Sequence, residues 1–256
     1  MASDESPPPP SVLGKAMAIL ESFTVDRTAL TFSDLQAATG LPKATLHRHL
    51  SDLQAVGLID RRDDRYRLSM LVFELGMRAS VGRNLIEVAT PFLEDLYERT
   101  HETVHLGVGD GDEVVYVLKM SGHQQAAAPS RLGGRMPLHA TAIGKALLAH
   151  APREQQDALL SGPLERRAPR TVVSPGLLRE QLDECARSGV AFEYEESAVG
   201  VVCVAAPVLD ATGAVIAAVS VAGPVTRFHP ATHAAAVRSA ALGIGATYGR
   251  RSARRR

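Results

Sequence analysis

The chain of 256 residues has no tryptophan, only two cysteines and few aromatic residues, which make up 4% of the sequence. Cys185 and Cys203 have neither the spacing of a metal-binding pair nor that of a disulfide framework. We therefore expect a protein of a reducing compartment that holds no metal and no cofactor. Because aromatic side chains are scarce, a core must be built mainly from Leu, Val, Ile and Ala, and the 45% of hydrophobic residues allow one.

Long apolar runs and an excess of one charge are also missing. Apolar stretches such as residues 199–209 are too short to cross a bilayer, and the N-terminus is acidic and proline-rich, unlike an export signal. We therefore expect a soluble, cytoplasmic protein without a membrane partner. Basic and acidic residues number 28 each, which argues against a protein that coats nucleic acid through net charge alone.

The spacing of apolar residues and of turn residues divides the chain into two domains. The expected segments are a disordered arm at residues 1–11, an N-terminal domain at 12–68, a linker helix at 69–83, a C-terminal domain at 84–249 and a basic tail at 250–256. The tail is expected to be frayed and solvated, with non-specific phosphate contact as the alternative.

The N-terminal domain shows three helical patterns followed by a change to the two-residue period of strands. Helices are predicted at residues 12–23, 33–40 and 43–55, and a hairpin at 58–68. Ser33 is the expected N-cap of the second helix, and Gly40 provides the left-handed turn at its end. Three helices followed by a basic hairpin are typical of a winged helix-turn-helix, whose third helix enters the major groove of DNA.

The third predicted helix has one apolar and one polar face. Leu46, Leu50 and Leu53 recur at spacings of four and three, so they are expected to be buried and to turn the polar face outward. The residues expected to contact DNA lie on this face and on the hairpin: Lys43, Ala44, Thr45, His47, Arg48, Ser51, Arg61, Arg62 and Arg65. Because acidic residues offset the basic ones in this domain, tight binding should require two copies on a two-fold site.

The rest of the chain alternates between hairpin and helix patterns. Strands are predicted at residues 104–108, 113–119, 201–209 and 214–222, in two hairpins that turn near 110–111 and 210–213. Helices are predicted at residues 84–100, 139–150, 152–160, 175–188 and 230–248, and Pro91 either begins or bends the first of them. This order predicts an α+β fold in which helices cover an antiparallel sheet.

Catalysis and metal binding have weak support in the sequence. Cys203 as a nucleophile would need a histidine base, from among His105, His139 and His229, but its apolar strand should raise the pKa of the thiol. His101 and His105 have the four-residue spacing of a helical metal site, yet the pattern around His105 is that of a strand. We predict no catalytic or metal site. A ligand sensor or hydrolase-like domain, whose helix-turn-helix only docks a partner, remains the alternative.

Several blocks resemble the IclR-type family of bacterial transcriptional regulators. In the N-terminal domain they are residues 12–20 (VLGKAMAIL), 41–50 (LPKATLHRHL) and 65–68 (RYRL). In the C-terminal domain they are residues 137–149 (PLHATAIGKALLA), 200–208 (GVVCVAAPV) and 219–224 (VSVAGP). The resemblance covers about residues 12–248 in the family's order of motifs.

The resemblance implies a GAF-like effector-binding domain, a homodimer or homotetramer, and control of operator DNA, more often as a repressor, by a small organic effector that is often a carboxylate. Carried over by motif, the effector site would include Met136, Ala142, Ile143, Glu193, Val201, Cys203, Ser220 and Ala222. Ala222 stands where the family often has a second serine, and Ile143 is bulkier than the small residue of carboxylate binders. A keto acid as small as pyruvate or glyoxylate is therefore not expected.

Overall fold

The computed structural model describes residues 11–76, 78, 83–121 and 128–253. The chain divides into two compact units, which meet in sequence at residues 80 and 81. Most of the predicted arm, residues 77 and 79–82 of the predicted linker helix, and residues 254–256 of the predicted tail lie outside the described residues. Within the described part of the chain, no helix combines the length and apolar character needed to cross a membrane.

The first unit is a winged helix. Its elements are α1 (Val12–Glu21), β1 (Leu30–Thr31), α2 (Phe32–Thr39), α3 (Lys43–Ala55), β2 (Ile59–Arg62), β3 (Arg65–Leu68) and α4 (Met70–Gly76). The strands form an antiparallel sheet in the order β1-β3-β2. The sequence does not predict the strand β1, because two residues are too short to show a period.

The start of α2 corrects one expectation. Thr31, not Ser33, is the N-cap: the Thr31 hydroxyl accepts a hydrogen bond from the Asp34 N–H at 3.2 Å. The Asp34 carboxylate in turn accepts from the Thr31 N–H at 2.9 Å, which completes a capping box. Gly40 ends the helix with a φ of 65°, as predicted.

The second unit is an antiparallel sheet between two layers of helices. Its elements are α5 (Arg83–Thr100), β4 (Thr103–Asp110), β5 (Glu113–Met120), β6 (Arg135–Pro137), α6 (Ala142–Ala149), α7 (Arg153–Ser161), α8 (Pro175–Ser188), β7 (Ala191–Tyr194), β8 (Val201–Leu209), β9 (Val215–Pro224) and α9 (Pro230–Ala253). The six-stranded order is β6-β5-β4-β9-β8-β7. This confirms the predicted α+β class with an antiparallel sheet.

Alternating side chains of the central strands supply the two cores. On β8, Val202 and Val204 pack in the cluster that includes α5 and α9. Their neighbours Cys203 and Ala205 pack on the opposite side, in the cluster that includes α6 and α8. Each face of the sheet is therefore covered, which explains why the pattern of β8 is apolar throughout.

The ends of α6 and α9 differ from their predicted positions. Residues 138–140 form a 3-10 turn, and α6 begins only after Thr141, whose hydroxyl accepts from the Gly144 N–H at 3.0 Å. A Cβ at Gly144 would lie 2.1 Å from the Leu138 carbonyl oxygen, so only glycine fits at this bend. Helix α9 continues to Ala253, so the predicted frayed tail is wrong for Arg250 and Arg251, which are helical. Pro91 lies inside α5.

Candidate functional sites

The polar face of α3 is exposed. Leu46, Leu50 and Leu53 are buried, as their spacing predicts, and His49 is buried with them. Of the side chains expected to read DNA on this helix, Thr45 is half-buried and the others are exposed: Lys43, Ala44, His47, Arg48 and Ser51. The exposed face of α3 therefore carries hydrogen-bond donors and small side chains, which can contact base edges and phosphates.

The hairpin β2–β3, here called the wing, separates its three predicted contact residues onto two faces. Arg62 pairs with Arg65 across the strands, so these side chains share one face. Arg61 pairs with Tyr66 on the other face, where its guanidinium lies 5.3 Å from the centre of the Tyr66 ring. Like charges directly opposite each other are unfavourable unless an anion lies between them. Arg62 and Arg65 thus form the part of the wing suited to a phosphate.

All eight residues expected from the resemblance to bind an effector line one cavity in the second unit. They are Met136, Ala142, Ile143, Glu193, Val201, Cys203, Ser220 and Ala222. The start of α6, the strands β7, β8 and β9, and residues 128–130 enclose this cavity. Its volume is about 20 Å³, which is room for about one water molecule. A larger ligand would have to displace side chains of the wall.

Polar residues that the sequence does not single out as effector contacts complete the wall. The His105 Nε2 atom lies 2.8 Å from the Ser130 hydroxyl, and the Ser220 hydroxyl lies 3.4 Å from His105 Nδ1. The Lys119 ammonium donates to the Ser130 carbonyl oxygen at 2.7 Å. Burial, with a smaller contribution from the Lys119 charge, lowers the pKa of His105 to about 3, so its imidazole is neutral.

Glu193 is the acidic group of the cavity and is almost fully buried. Its Oε1 atom accepts hydrogen bonds from the backbone N–H of Ser197, at 2.8 Å, and from the Ser197 hydroxyl. Burial raises the pKa of Glu193 to about 7, although the hydrogen bonds from Ser197 oppose the rise. The carboxyl group therefore changes its charge near neutral pH.

The cavity is better suited to binding than to nucleophilic chemistry. Burial raises the pKa of the Cys203 thiol above its ordinary value, and its thiol donates to the Val204 carbonyl oxygen at 3.8 Å. Burial also keeps the Tyr116 phenol neutral by raising its pKa. The backbone N–H groups of Ala142 and Ile143 in the first turn of α6 have no acceptor four residues earlier within that helix, and they favour an anion.

The histidine pair considered as a metal site is not arranged as one. His105 lies on β4, as its sequence pattern indicates, whereas His101 follows the end of α5 and its ring lies nearly perpendicular to the Tyr97 ring. Within the residues that the structure describes, no group of three or more His, Cys, Asp or Glu side chains is placed to hold a metal ion.

We expect Glu193→Gln to remove one component of the pH dependence of stability. The folded state holds the Glu193 proton up to about pH 7, whereas the unfolded chain loses it near 4.5, so Glu193 lowers stability as pH rises between these values. Relative to the parent, the variant should gain about 2 to 3 kcal/mol of unfolding free energy between pH 5 and pH 8. Urea titrations at both values measure this. The exposed Glu98→Gln is the control, and parallel pH profiles for Glu193→Gln and the parent would contradict the assignment.

Comparisons with known proteins agree across both units. Residues 12–63 match the IclR helix-turn-helix domain, and residues 77–246 match the C-terminal domain described as bacterial transcriptional regulator IclR C-terminal. The transcriptional regulator XynR of Escherichia coli (strain K12) is 39% identical over 209 residues, which cover 80% of this chain and 83% of XynR. KdgR of the same organism is 34% identical over 228 residues, which cover 88% and 86% of the two chains.

Solved structures agree with this result. An IclR homologue from Microbacterium hydrocarbonoxydans, crystallised in complex with 4-hydroxybenzoate, has a TM-score of 0.85 and 35% identity, with 93% of this chain and 99% of that chain covered. The IclR protein of Thermotoga maritima has a TM-score of 0.76 and 28% identity, with 93% and 98% covered.

Proposed function

The chain belongs to the IclR family of bacterial transcriptional regulators, and from that premise we propose how it binds DNA and what kind of molecule it senses. Two copies of the chain place their α3 helices in successive major grooves of a two-fold operator, with each wing on the phosphate backbone. A small organic carboxylate binds in the cavity at the start of α6. Its binding changes the spacing of the two α3 helices and thereby the affinity for the operator, with repression as the expected sense of control.

One observation carries the DNA-binding part of the proposal. The buried ridge of Leu46, Leu50 and Leu53 leaves α3 only one orientation, with Arg48 on its exposed face. An exposed arginine at this place can donate two hydrogen bonds to the O6 and N7 atoms of guanine. The half-buried Thr45 and the exposed Ser51 flank it with hydroxyl groups that bond to bases or phosphates.

The wing is expected to bind phosphates rather than to select the sequence. Arg62→Ala should weaken binding to the operator and to unrelated duplexes by similar factors, because a phosphate carries no base information. The slope of log affinity against log salt should become shallower by about 0.9 for each phosphate that the variant no longer neutralises. Fluorescence anisotropy with a duplex from the upstream region of the gene, repeated at several salt concentrations, measures both effects. Selective weakening of operator binding would place Arg62 on a base instead.

The lining of the cavity supports an organic carboxylate as the effector. The start of α6 favours a negative group, and the neutral Tyr116 phenol and the Ser220 hydroxyl can hydrogen-bond to oxygen atoms. Ala222 and Ile143 add apolar surface to the wall, which suits a ring or an alkyl chain. The complex of the Microbacterium relative with 4-hydroxybenzoate makes this aromatic carboxylate the first compound to test.

The ligand part is tested by calorimetric titration of the full chain with 4-hydroxybenzoate and a panel of other aromatic and aliphatic carboxylates. We expect at least one of them to bind. Ser220→Ala should weaken the binding of that compound about fivefold to tenfold, because one hydrogen bond is removed. Ser161→Ala, which removes an exposed hydroxyl from α7, is the matched control. Binding of no carboxylate would contradict the proposed site. So would unchanged binding in an Ala222→Val variant, whose larger side chain narrows the cavity.

A DNA-independent role for the helix-turn-helix makes a different prediction. A domain that only docks a protein partner would show no preference between the upstream duplex and a scrambled duplex of equal length. The proposed regulator binds the upstream duplex more tightly and loses affinity steeply as salt rises. The same anisotropy titration therefore separates the two functions.

A further inference from the structure

A second and larger opening lies at the edge of the sheet. It is a groove of about 310 Å³ between helix α8 and the edge strand β7. This α8–β7 groove reaches the lower end of the size range of small-molecule sites, whereas the cavity at the start of α6 holds about one water. None of the residues lining the groove is among those that line the cavity.

A buried ion pair forms the polar end of the groove. The Lys145 ammonium donates to Gln181 Oε1 at 2.7 Å, to the Phe192 carbonyl oxygen at 3.1 Å and to Glu196 Oε1 at 2.6 Å. An ammonium has three donors, so these hydrogen bonds use all of them. The Glu196 side chain is only 5% exposed. Its second oxygen, Oε2, is buried and finds no hydrogen-bond partner in the described part of the chain.

The unpartnered oxygen indicates which kind of group the groove accepts. A buried carboxylate oxygen without a donor is costly, and Lys145 has no further hydrogen to give it. Glu180 and Glu184 add two carboxylates to the exposed rim of the groove, and Glu184 is paired with Arg187 at 2.7 Å. Lys145 and Arg187 offset two of the three carboxylates at the groove, so one negative charge remains in excess and favours a cation.

The other walls of the groove are apolar and aromatic. Tyr194 lines the groove, and its ring stacks on that of Phe192, which packs in the cluster that includes α5 and α9; the ring centres are 6.2 Å apart and the planes 19° from parallel. Tyr194 is 46% exposed and Leu177 is 48% exposed, so both present apolar surface to the solvent. A stacked aromatic pair beside carboxylates suits a positively charged group attached to a flat or apolar body.

We propose that the α8–β7 groove is a binding site for a small organic ammonium compound with an aromatic or alkyl body. Its ammonium group donates to Glu196 Oε2, and its body lies against Tyr194 and Leu177. This proposal does not depend on the identity of the effector or on DNA binding. It assigns the chain a second ligand of opposite charge to the carboxylate proposed for the cavity.

The test is a calorimetric titration of the full chain with benzylamine, compared with its neutral isostere benzyl alcohol and with benzoate. We expect saturable one-site binding of benzylamine, and no saturation with benzyl alcohol over the same range. Benzoate should not displace benzylamine, even if it binds in the cavity. Tyr194→Ala should weaken the binding of benzylamine about fivefold, because the aromatic ring is removed. Leu242→Ala, which removes an exposed apolar side chain from α9, should leave it unchanged.

Three results would overturn the proposal. The first is absence of saturation with benzylamine up to about 1000 times the protein concentration. The second is equal binding of benzyl alcohol, since it would show that Glu196 and charge play no part. The third is a smaller assembly mass for Tyr194→Ala than for the parent by light scattering, which would assign the groove to contact between copies of the chain. Glu180→Gln is a second variant at an exposed position, and we expect about twofold weaker binding of benzylamine from it.

Discussion

Arg48→Ala is expected to abolish selective binding to the operator while leaving the fold intact. A bidentate contact between arginine and guanine contributes about 1 to 3 kcal/mol of discrimination, and the proposed dimer uses it twice. Affinity for the operator should therefore fall about 30-fold or more, whereas affinity for a scrambled duplex should fall far less. Arg48 is exposed, so its replacement disturbs no buried contact and should leave thermal unfolding unchanged.

The matched control for this experiment is Gln54→Ala. Gln54 is also exposed on α3 but lies beyond Ser51, the last predicted contact, near the C-terminal end of the helix, so its replacement should change operator affinity less than twofold. Anisotropy titrations of the parent and both variants on the operator and scrambled duplexes give the comparisons needed. Equal operator affinity for Arg48→Ala and the parent would show that a different face of the domain reads DNA.

Lys145→Met is expected to destabilise the second unit strongly. Lys145 and Glu196 are 2% and 5% exposed, and removal of the ammonium leaves a buried carboxylate without its charge partner. Breaking a buried pair in this way costs about 3 to 5 kcal/mol. Urea titration followed by circular dichroism measures the decrease in unfolding free energy.

Two further variants separate charge from packing at this position. Lys145→Met combined with Glu196→Leu removes both charges, so it should recover most of the stability. Arg187→Met breaks the exposed pair with Glu184, whose side chains are 73% and 59% exposed, and it should cost less than about 1 kcal/mol. A Lys145→Met variant as stable as the parent would mean that Glu196 is neutral or solvated in the folded protein.

The elements with a strong local signal are predictable from the sequence. The leucine spacing of α3 and the turn at Asp110-Gly111 each follow from periodicity or turn chemistry in one short segment. The strands β1, β6 and β7 escape prediction, because each has only two to four residues. In addition, β1 and β6 form only by pairing with strands that are distant in the sequence. The predicted end of α9 is too early, since alanines and arginines at its C-terminus are good helix formers that show no apolar period.

The site is predictable only in part, because long-range pairing determines most of it. The eight residues around the small cavity follow from motif resemblance, and the structure brings them together. The sequence suggests His105 only as a base or a metal ligand; its place beside Ser220 depends on the register of β4 with β9, which no local pattern shows. The Lys145–Glu196 pair has a visible signal: a lone lysine inside the apolar helix of residues 142–149 must find a buried partner.

Occupancy of the cavity in the second unit is proposed to control DNA binding by the first. The direct measurement is an anisotropy titration of the upstream duplex at fixed salt, with and without a saturating concentration of the tightest carboxylate found by calorimetry. We expect the ligand to shift operator affinity by at least about fivefold, and operator to shift ligand affinity by the same factor. The shift in operator affinity should be smaller in Ala222→Val, whose cavity is narrower. Superimposable curves with and without the ligand would contradict the claim.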